Sequence, residues 1–430
     1  MTIKEIHQLF VNSTGVCTDT RNIESNSLFF ALKGDNFNGN KFAVKALEDG
    51  CAYAIIDEKE FNNHPNCILV NNVLKTLQDL AHYHRKTFNI PVLGITGSNG
   101  KTTTKELVGA VLSKKYNLLM TSGNFNNHIG VPLTLLKMNA KHRFAVIEMG
   151  ASKPKDIKEL VEIAAPTHGI ITNIGAAHLE GFGSLMGVIN TKKELYDYLA
   201  NNDGVIFYNN DDEILKNILP RNTINHEYGT NTGVLKGELK GLTPFVRFRW
   251  NFKTSYSSPI LTTKLVGKYN FTNFLAAACI GKHFKVDNDK ICKALENYTP
   301  TNNRSQVSKI KTNTFIVDCY NANPTSMLSA LESFVEIAHE HKTAILGDML
   351  ELGTYSESEH QKIVDYLDET KLKVLLVGKE FQKTKTTFAT FKNVEELLVF
   401  KKENQLTDSL VLLKGSRGIK LELFLEDEQN

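Results

Sequence analysis

Short apolar runs and amphipathic stretches follow one another along the 430-residue chain. Apolar runs of four to eight residues between polar connectors predict buried strands, and apolar residues three or four positions apart predict helices. The first part of the chain has apolar runs at residues 27–32, 52–56 and 67–70, and a helical pattern at 42–47. Residues 1–88 are therefore predicted to form a small α/β domain.

A regular order of strand, glycine-bearing turn and helix begins near residue 89. The predicted elements are strands at residues 91–96, 144–148 and 169–173 and helices at 102–112 and 157–164. Buried strands that alternate with amphipathic helices favour a mostly parallel sheet with helices on its faces. We therefore expect a central parallel-sheet domain over residues 89–300.

Within this domain, residues 244–252 alternate aromatic with polar side chains, which predicts a strand with one wet face. Interleaved arginine and aromatic side chains can also bind single-stranded nucleic acid by stacking. Nothing else in the chain supports a basic groove, so we expect no nucleic-acid partner.

A second alternating unit follows Pro300. Its predicted strands lie at residues 315–318, 343–346, 373–377 and 410–413. A predicted helix from residue 327 to about 338 would bury a face made of Leu328, Leu331, Phe334 and Val335. Residues 301–430 are thus expected to form a Rossmann-like domain, with a hinge at residues 298–303.

Composition excludes several protein classes. The chain is 41% hydrophobic and 23% charged, and 50 Lys and Arg against 47 Asp and Glu leave a net charge of +3. That balance gives no global field for nucleic acid or an anionic membrane. No apolar run is long enough for a membrane span, and Lys4, Glu5 and His7 interrupt the start where a secretory signal would be apolar. Six scattered cysteines without a Cys-x-x-Cys pair favour reduced thiols, so we expect a cytoplasmic protein without membrane insertion.

The strongest chemical signal is a glycine-bearing loop between a predicted strand and a predicted helix. Its residues are Gly97, Ser98, Asn99, Gly100, Lys101, Thr102 and Thr103. Such a loop lets backbone N–H groups approach a polyphosphate, with Lys101 reaching the β- and γ-phosphates and the Thr102 hydroxyl placed for Mg²⁺. The strict phosphate-loop pattern has glycine where Ile95 stands, so an ordinary glycine-rich turn is the alternative.

Three further residues could belong to the same cleft. Glu148 ends a predicted parallel strand, where ligands bind in open sheets, and could hold Mg²⁺ or simply face solvent. His178 follows the next strand between glycines and could be catalytic or merely packed. Lys192 is adjacent to Lys193, and the simplest interpretation of this pair is that both lie in solvent at the start of a helix.

The last third carries two more candidate positions. Asp318 ends a strand before a turn at residues 319–324, and it could bind ribose hydroxyls or cap the next helix. Lys414 and Arg417 lie in a loop after another strand, and they could bind a carboxylate or phosphate or remain solvated.

Together these residues resemble the Mur ligase family of bacterial cell-wall synthesis over nearly the whole chain. The segments that carry the resemblance are residues 18–21, 28–34, 97–103, 124–130, 267–277, 320–324, 346–353 and 414–417. Those at 320–324, 346–353 and 414–417 look diagnostic of the branch that adds D-alanyl-D-alanine to a UDP-N-acetylmuramoyl-tripeptide. The missing first glycine of the phosphate loop is itself a trait of the family.

The resemblance implies a fold and a set of roles. The three domains would be a uridine-nucleotide-binding α/β domain, a central P-loop ATPase-like domain and a Rossmann-like domain. ATP would contact the phosphate loop, with Asn270 and Asn273 on the adenine side, Arg304 at the γ-phosphate and Asp318 at the ribose. Thr102 and Glu148 would hold one Mg²⁺ and His178 a second, with Lys101, His178, Lys192 and Arg304 as the catalytic set. Lys192 would be carbamylated to N6-carboxylysine, an anion that would bridge the metal ions, although Lys193 permits a slip of one residue.

The resemblance also implies the substrates and the reaction. The tripeptide carboxylate would be phosphorylated by ATP, the amine of D-alanyl-D-alanine would attack the acyl phosphate, and closure of the domains would assemble the site. The implied substrate contacts are Asp19, Thr20, Arg21, Lys33, Gly34, Asn126, Asn127, Tyr320, Asn321, Asn323, Lys414 and Arg417. We expect a monomer. A ligase for another amino acid and a nucleotide-binding protein without catalysis are the alternatives.

Four residues depart from the pattern of the family. Tyr269 stands where histidine is common, and Cys319 where a second aspartate is common. Asn38 and Asn40 replace an aspartate and a histidine, which puts the details of uridine recognition in doubt.

Overall fold

The computed structural model describes residues 1–301 and 304–429 and has three domains, each built on its own sheet. Asn302 and Asn303, in the expected hinge, lie outside the described residues. No helix in the described part of the chain is long and apolar enough to cross a membrane. All six cysteines are buried and free.

The first domain has a four-stranded parallel sheet in the order β1-β2-β5-β6. Its strands are β1 (Val16–Cys17), β2 (Leu28–Phe30), β3 (Lys33–Gly34), β4 (Phe37–Asn38), β5 (Tyr53–Ile56) and β6 (Cys67–Leu69), and β3 and β4 form a separate hairpin. Its helices are α1 (Ile3–Val11), α2 (Ala43–Glu48) and α3 (Val73–Lys86). Helix α3 attaches this domain to the central one, because Gln78 Nε2 donates to Glu159 Oε1 (2.7 Å) and Arg85 Nε to the Ala164 carbonyl (3.2 Å).

The central domain has a ten-stranded sheet in the order β15-β14-β13-β12-β11-β10-β7-β9-β8, with β16 paired to β14. Its strands are β7 (Val92–Thr96), β8 (Leu118–Met120), β9 (Phe144–Glu148), β10 (His168–Ile171), β11 (Val205–Asn209), β12 (Ile224–Gly229), β13 (Leu235–Gly241), β14 (Arg247–Phe252), β15 (Tyr256–Ser257) and β16 (Leu261–Thr262). Its helices are α4 (Lys101–Leu112), α5 (Gly130–Leu135), α6 (Asp156–Ala164), α7 (Leu179–Phe182), α8 (Leu185–Ala200), α9 (Glu213–Asn217), α10 (Tyr269–His283) and α11 (Asn288–Asn297).

Strands β7 to β13 run parallel, which confirms the predicted α/β class, and β14 to β16 add antiparallel strands at one edge. The alternation in β14 reflects burial, since Phe248 and Trp250 are fully buried in the core under α10. These rings have no free face on which a base could stack. Strand β10 ends at Ile171, two residues before the predicted end, and Asn173 therefore lies in the loop beyond the strand.

The C-terminal domain is Rossmann-like, with the strand order β17-β18-β22-β19-β20-β21 and only β17 antiparallel to its neighbour. Its strands are β17 (Gln306–Ile310), β18 (Asn313–Asp318), β19 (Lys342–Gly347), β20 (Lys373–Val377), β21 (Ala389–Phe391) and β22 (Leu410–Lys414). Its helices are α12 (Pro324–Glu336), α13 (Ser356–Asp368), α14 (Val394–Glu403) and α15 (Glu422–Gln429).

The predicted buried face of helix α12 is partly wrong. It begins at Pro324, three residues early, because Asn323 forms a capping box with Ser326. Leu331 and Phe334 are buried as expected, but Leu328 and Val335 are 36% and 37% exposed. The buried face of α12 starts at Met327 instead. Leu328 and Val335 directly follow buried residues of that face, and each step along a helix turns the side chain by about 100°, which carries them toward solvent.

Candidate active site

A cleft of about 820 Å³ separates the central and C-terminal domains at the carboxyl edge of both sheets. It brings together residues from the phosphate loop, α10 and the loops after β9, β10, β18 and β22. The predicted site residues that line it are Ser98, Asn99, Gly100, Lys101, Thr102, Thr103, Asn126, Asn127, Glu148, His178, Asn270, Asn273, Arg304, Asp318, Tyr320, Asn321, Asn323 and Lys414.

The phosphate loop is held by the segment after β10. Gly97 has a φ of +146° and packs against Thr172, leaving no room for a Cβ. The Asn99 backbone N–H donates to Asn173 Oδ1 (3.0 Å), and the Ser98 hydroxyl donates to the Gly175 carbonyl (2.9 Å). Asn173 therefore shapes the loop, a role that the sequence hid because the residue was assigned to a strand.

Lys101, the first residue of α4, folds back along the phosphate loop. Its Nζ donates to the carbonyl of Gly97 (2.7 Å) and to that of Ser98 (3.3 Å). Burial lowers the pKa of Lys101 to about 8; the carboxylate of Glu148 opposes this shift and the charge of Arg304 adds to it. The lowered pKa of Lys101 thus reflects mainly the burial of its ammonium group.

One carboxylate oxygen of Glu148 accepts no hydrogen bond from the protein. Its Oε1 accepts from Thr102 Oγ1 (3.1 Å) and from Asn126 Nδ2 (2.9 Å). Its Oε2 is buried without a hydrogen-bond partner, 3.7 Å from Lys105 Nζ. A buried, unsatisfied carboxylate oxygen beside a threonine hydroxyl fits the oxygen ligands that Mg²⁺ prefers. Within residues 1–301 and 304–429, no group of three or more His, Cys, Asp and Glu side chains is arranged to hold a metal ion.

His178 makes its contact with the other domain. It has a φ of +52°, and its Nδ1 lies 2.5 Å from Glu351 Oε2. The hydrogen bond from His178 lowers the pKa of the Glu351 carboxyl against the opposing effect of burial. Glu351 was missed as a site residue although its segment, 346–353, was noticed, because nothing local shows that this glutamate faces His178.

The two adjacent lysines of α8 differ completely in environment. Lys192 is 1% exposed, and burial, with a contribution from the charge of Lys101, lowers its pKa well below the usual value. Lys193 forms an ion pair with Asp197 at the surface. Lys192 is therefore not the solvated lysine that its position suggested, although it lies behind the cleft and does not line it.

The adenine-side asparagines expected on α10 are buried and bonded to each other. Asn273 Nδ2 donates to Asn270 Oδ1 (3.0 Å), and Thr104 Oγ1 donates to Asn273 Oδ1 (3.1 Å). This network ties α10 to the helix that follows the phosphate loop.

The C-terminal side of the cleft carries three cations. Lys414 is 2% exposed and pairs with Asp318 (2.6 Å). The Arg304 guanidinium stacks 3.9 Å from the centre of the Tyr320 ring, and that of Arg417 lies 5.7 Å from it. Arg417 lines a side chamber of about 450 Å³ that shares Arg304 and Tyr320 with the main cleft.

Direct contacts join the two domains across the cleft. Asn323 Nδ2 donates to Asn99 Oδ1 (2.7 Å), and the Ala176 backbone N–H donates to Thr325 Oγ1 (3.1 Å). Arg304 and Asp318 are thereby placed opposite the phosphate loop.

The predicted residues of the first domain form a separate group. Asp19, Thr20 and Arg21 lie in the loop after β1, and Lys33 and Gly34 form β3, directly after the loop that follows β2. None of these residues lines the 820 Å³ cleft. Because β1 and β2 run parallel, the two loops lie at one edge of their sheet. Hydrogen bonds from Arg21 lower the pKa of Asp19 to about 2.

Asn38 and Asn40, which depart from the expected pattern, form structural hydrogen bonds within this domain. Asn40 Nδ2 donates to Asp57 Oδ1 (3.0 Å), and the Asp57 backbone N–H donates back to Asn40 Oδ1 (3.0 Å). Asn38 Nδ2 donates to Glu58 Oε2 (2.9 Å), and Lys33 pairs with Asp57 (3.0 Å). Asp57 and Glu58 thus belong to this polar edge, although the sequence did not single them out.

Comparison with known proteins identifies relatives for the whole chain. Three family models match it: "Mur ligase family, catalytic domain" over residues 12–92, "Mur ligase middle domain" over 95–281 and "Mur ligase, glutamate ligase domain" over 303–417. The UDP-N-acetylmuramoyl-tripeptide–D-alanyl-D-alanine ligase of Bacillus subtilis (strain 168) is 36% identical, over 96% of this chain and 92% of that protein. The protein of the same name from Escherichia coli (strain K12) is 30% identical, over 97% and 94%.

Solved structures agree with these relatives. A crystal structure of MurF from Acinetobacter baumannii superposes with a TM-score of 0.89 at 28% identity, covering 100% of this chain and 98% of that one. MurF ligase from Thermotoga maritima in complex with ADP gives a TM-score of 0.86 at 27% identity, with 96% and 97% covered.

Proposed function

Because this chain belongs to the Mur ligase family, we propose that it is an ATP-dependent ligase that joins D-alanyl-D-alanine to a UDP-N-acetylmuramoyl-tripeptide. The observation that carries the proposal is the cleft between two domains, with Lys101, Thr102 and the unsatisfied Glu148 oxygen facing Arg304 and Asp318. The choice of substrates rests on the two relatives whose names state these substrates and which match this chain over nearly its full length.

Each domain would hold one substrate. Residues 1–88 would bind the UDP-muramoyl peptide at the polar edge of their sheet, residues 89–300 would bind ATP, and residues 301–430 would bind D-alanyl-D-alanine and close over ATP. We propose that the protein acts as a monomer. We place its action in the cytoplasm, which the free thiols support.

ATP would lie along the phosphate loop. The loop N–H groups and Lys101 would hold its phosphates, Asn270 and Asn273 its adenine and Asp318 its ribose. Arg304, opposite Lys101, would reach the γ-phosphate. The negative charge of a polyphosphate would stabilise the protonated form of Lys101, whose pKa is lowered by burial, and would compensate the charge of Arg304, which stacks on Tyr320.

Thr102 and Glu148 would hold one Mg²⁺, and His178 a second after exchanging its bond to Glu351. The bound ions would supply charge neutralisation between the phosphates and the attacking carboxylate. Burial lowers the pKa of Lys192 and so favours the neutral amine, the form that reacts with CO₂, whereas Lys193 is held in an ion pair with Asp197. This difference supports Lys192 over Lys193 as the carbamylated residue.

The reaction would then run in two steps. The terminal carboxylate of the tripeptide attacks the γ-phosphate to give an acyl phosphate and ADP, with Lys101 and Arg304 offsetting the charge. The amine of D-alanyl-D-alanine attacks the acyl carbon, phosphate leaves and the amide forms. Closure of the C-terminal domain would keep water from the acyl phosphate.

A ligation assay tests the proposal. Purified protein, ATP, Mg²⁺ and either the lysine or the diaminopimelate tripeptide are offered D-alanyl-D-alanine, glutamate or a diamino acid, and product mass is measured. We expect product only with D-alanyl-D-alanine, and none from Lys101→Ala, which should fold normally. Product from a single amino acid instead, or unchanged turnover in Lys101→Ala, would overturn the assignment.

A further inference from the structure

We propose that Ser305, held by the Tyr269 hydroxyl and the Asn270 amide, is a positioning residue that aims Arg304 at the γ-phosphate of ATP. The proposal rests on the proposed function for the role of Arg304. It gives Tyr269, which departs from the family pattern, a specific task at the boundary between two domains.

Ser305 has an unfavourable backbone conformation. Its φ is +52°, in the left-handed region where the Cβ of an L-residue is crowded by the backbone. It is 4% exposed and lies immediately after Arg304 in the main cleft. Such a conformation persists only where surrounding contacts enforce it.

Three hydrogen bonds enforce it here. The hydroxyls of Tyr269 and Ser305 lie 2.8 Å apart, and Asn270 Nδ2 donates to Ser305 Oγ (3.1 Å). The Ser305 backbone N–H donates to Asp318 Oδ1 (3.3 Å), the carboxylate that also pairs with Lys414. Residues of α10 in the central domain thus fix the start of the C-terminal domain.

Tyr269 is well suited to act as the fixed partner. Its ring packs against Gly267, which has a φ of +89° and no room for a Cβ. The ring also contacts the apolar core of the C-terminal domain together with Val266. Burial raises the pKa of Tyr269 far above neutrality, so the hydroxyl keeps its proton and remains able to donate.

Within the described part of the chain, few contacts of the Arg304 side chain itself fix its direction. Its guanidinium stacks on the Tyr320 ring. Stacking keeps the guanidinium against the face of the ring, but it does not determine in which direction the N–H groups point within that plane. Its Nε is buried without a hydrogen-bond partner, and none of the ion pairs in the described part of the chain includes Arg304. The direction of the side chain is therefore set by the backbone that Ser305 holds.

The variant Tyr269→Phe removes only the hydroxyl. Tyr116→Phe is the matched control. The Tyr116 hydroxyl also donates one hydrogen bond, to the Phe284 carbonyl (2.9 Å), and this contact lies away from the cleft. Calorimetry measures the Kd of ADP and of a non-hydrolysable ATP analogue. We expect Tyr269→Phe to weaken the analogue about fivefold, the value of one hydrogen bond, and to leave ADP within about twofold.

Turnover supplies a second measurement. In Tyr269→Phe we expect kcat to fall about tenfold with the KM for ATP changed less than about threefold, because the γ-phosphate contact strengthens in the transition state. Ser305→Ala should repeat the pattern, and Tyr116→Phe should match the wild type. Equal weakening of ADP and analogue, or unchanged binding and kcat, would overturn the proposal.

These outcomes are separable from those of the proposed function. The binding measurements need neither tripeptide nor acceptor, so selective loss of the analogue would uphold the role of Ser305 even if ligation of D-alanyl-D-alanine failed. Ligation with unselective binding loss would uphold the function and reject the positioning role.

Discussion

Gly175 and Thr325 meet where the central and C-terminal domains touch, and Gly175→Ala should drive them apart. A Cβ on Gly175 would lie 2.7 Å from Thr325 Oγ1 and 3.0 Å from its Cγ2. The backbone of Gly175 lies outside the left-handed region, so alanine adds no backbone strain there, and the three atoms nearest to its Cβ all belong to Thr325. The clash exists only when the domains are closed, and opening relieves it.

The size of the effect follows from the overlap. Overpacking by one methyl group costs about 1 to 3 kcal/mol, and the hydrogen bond from the Ala176 N–H to Thr325 would also weaken. If the cost falls on closure, kcat should drop about 5- to 150-fold, since 1.4 kcal/mol corresponds to a factor of ten. The thermal midpoint should change little, because each domain keeps its own core.

The assay compares four proteins by ADP release with saturating substrates and by solution scattering with an ATP analogue. We expect Gly175→Ala to be slow and more extended than the wild type. The double variant Gly175→Ala with Thr325→Ala should recover in part, because the two clashing atoms are gone and only the Thr325 Cβ remains, at 3.1 Å. Gly241→Ala is the control, since its Cβ would meet nothing closer than 3.8 Å. Wild-type kcat and scattering in Gly175→Ala would refute this account of closure.

Three further changes test other parts of the structure. Lys414→Met should lower the free energy of unfolding by about 3 kcal/mol in urea titrations, because it leaves Asp318 partly buried and unpaired; a loss below about 1 kcal/mol would contradict this. Lys192→Gln should reduce ligation by at least about 100-fold while Lys193→Gln stays near wild type, and equal effects would reject the assignment to Lys192. Burial and a neighbouring histidine lower the pKa of His283 to about 4, so stability present above pH 6.5 should be lost as pH falls toward 4. His283→Gln should flatten that loss in urea midpoints measured from pH 7 to 4.5, and an unchanged slope would exclude His283 as its source.

The sequence predicted what is encoded locally. The phosphate loop was recognisable because strand, glycines, Lys101 and helix follow one another within a dozen residues. The parallel sheets were predictable for the same reason, since each strand–helix unit carries its own periodicity. The face of α12 was predicted less well, because Leu328 and Val335 are apolar yet exposed, and exposed apolar residues are common on protein surfaces.

Contacts between distant segments could not be predicted from the same patterns. Glu351 meets His178 across 173 positions of sequence, and Tyr269 meets Ser305 only because two domains are packed together. Lys192 and Lys193 are indistinguishable in sequence, and only the orientation of α8 buries one of them. Periodicity fixes which residues share a face of an element, but it does not say which other element will cover that face.

The placement of positive charge suggests why the site is divided between two domains. Lys101 belongs to the central domain and Arg304 to the C-terminal one, and the charge of Arg304 helps to lower the pKa of Lys101. Bringing these cations together therefore opposes closure when no anion lies between them. A polyphosphate reverses the sign of that interaction, because each cation then faces negative charge. Binding of ATP would therefore favour closure over the open arrangement, which would tie assembly of the site to the substrate whose acyl phosphate product needs protection from water.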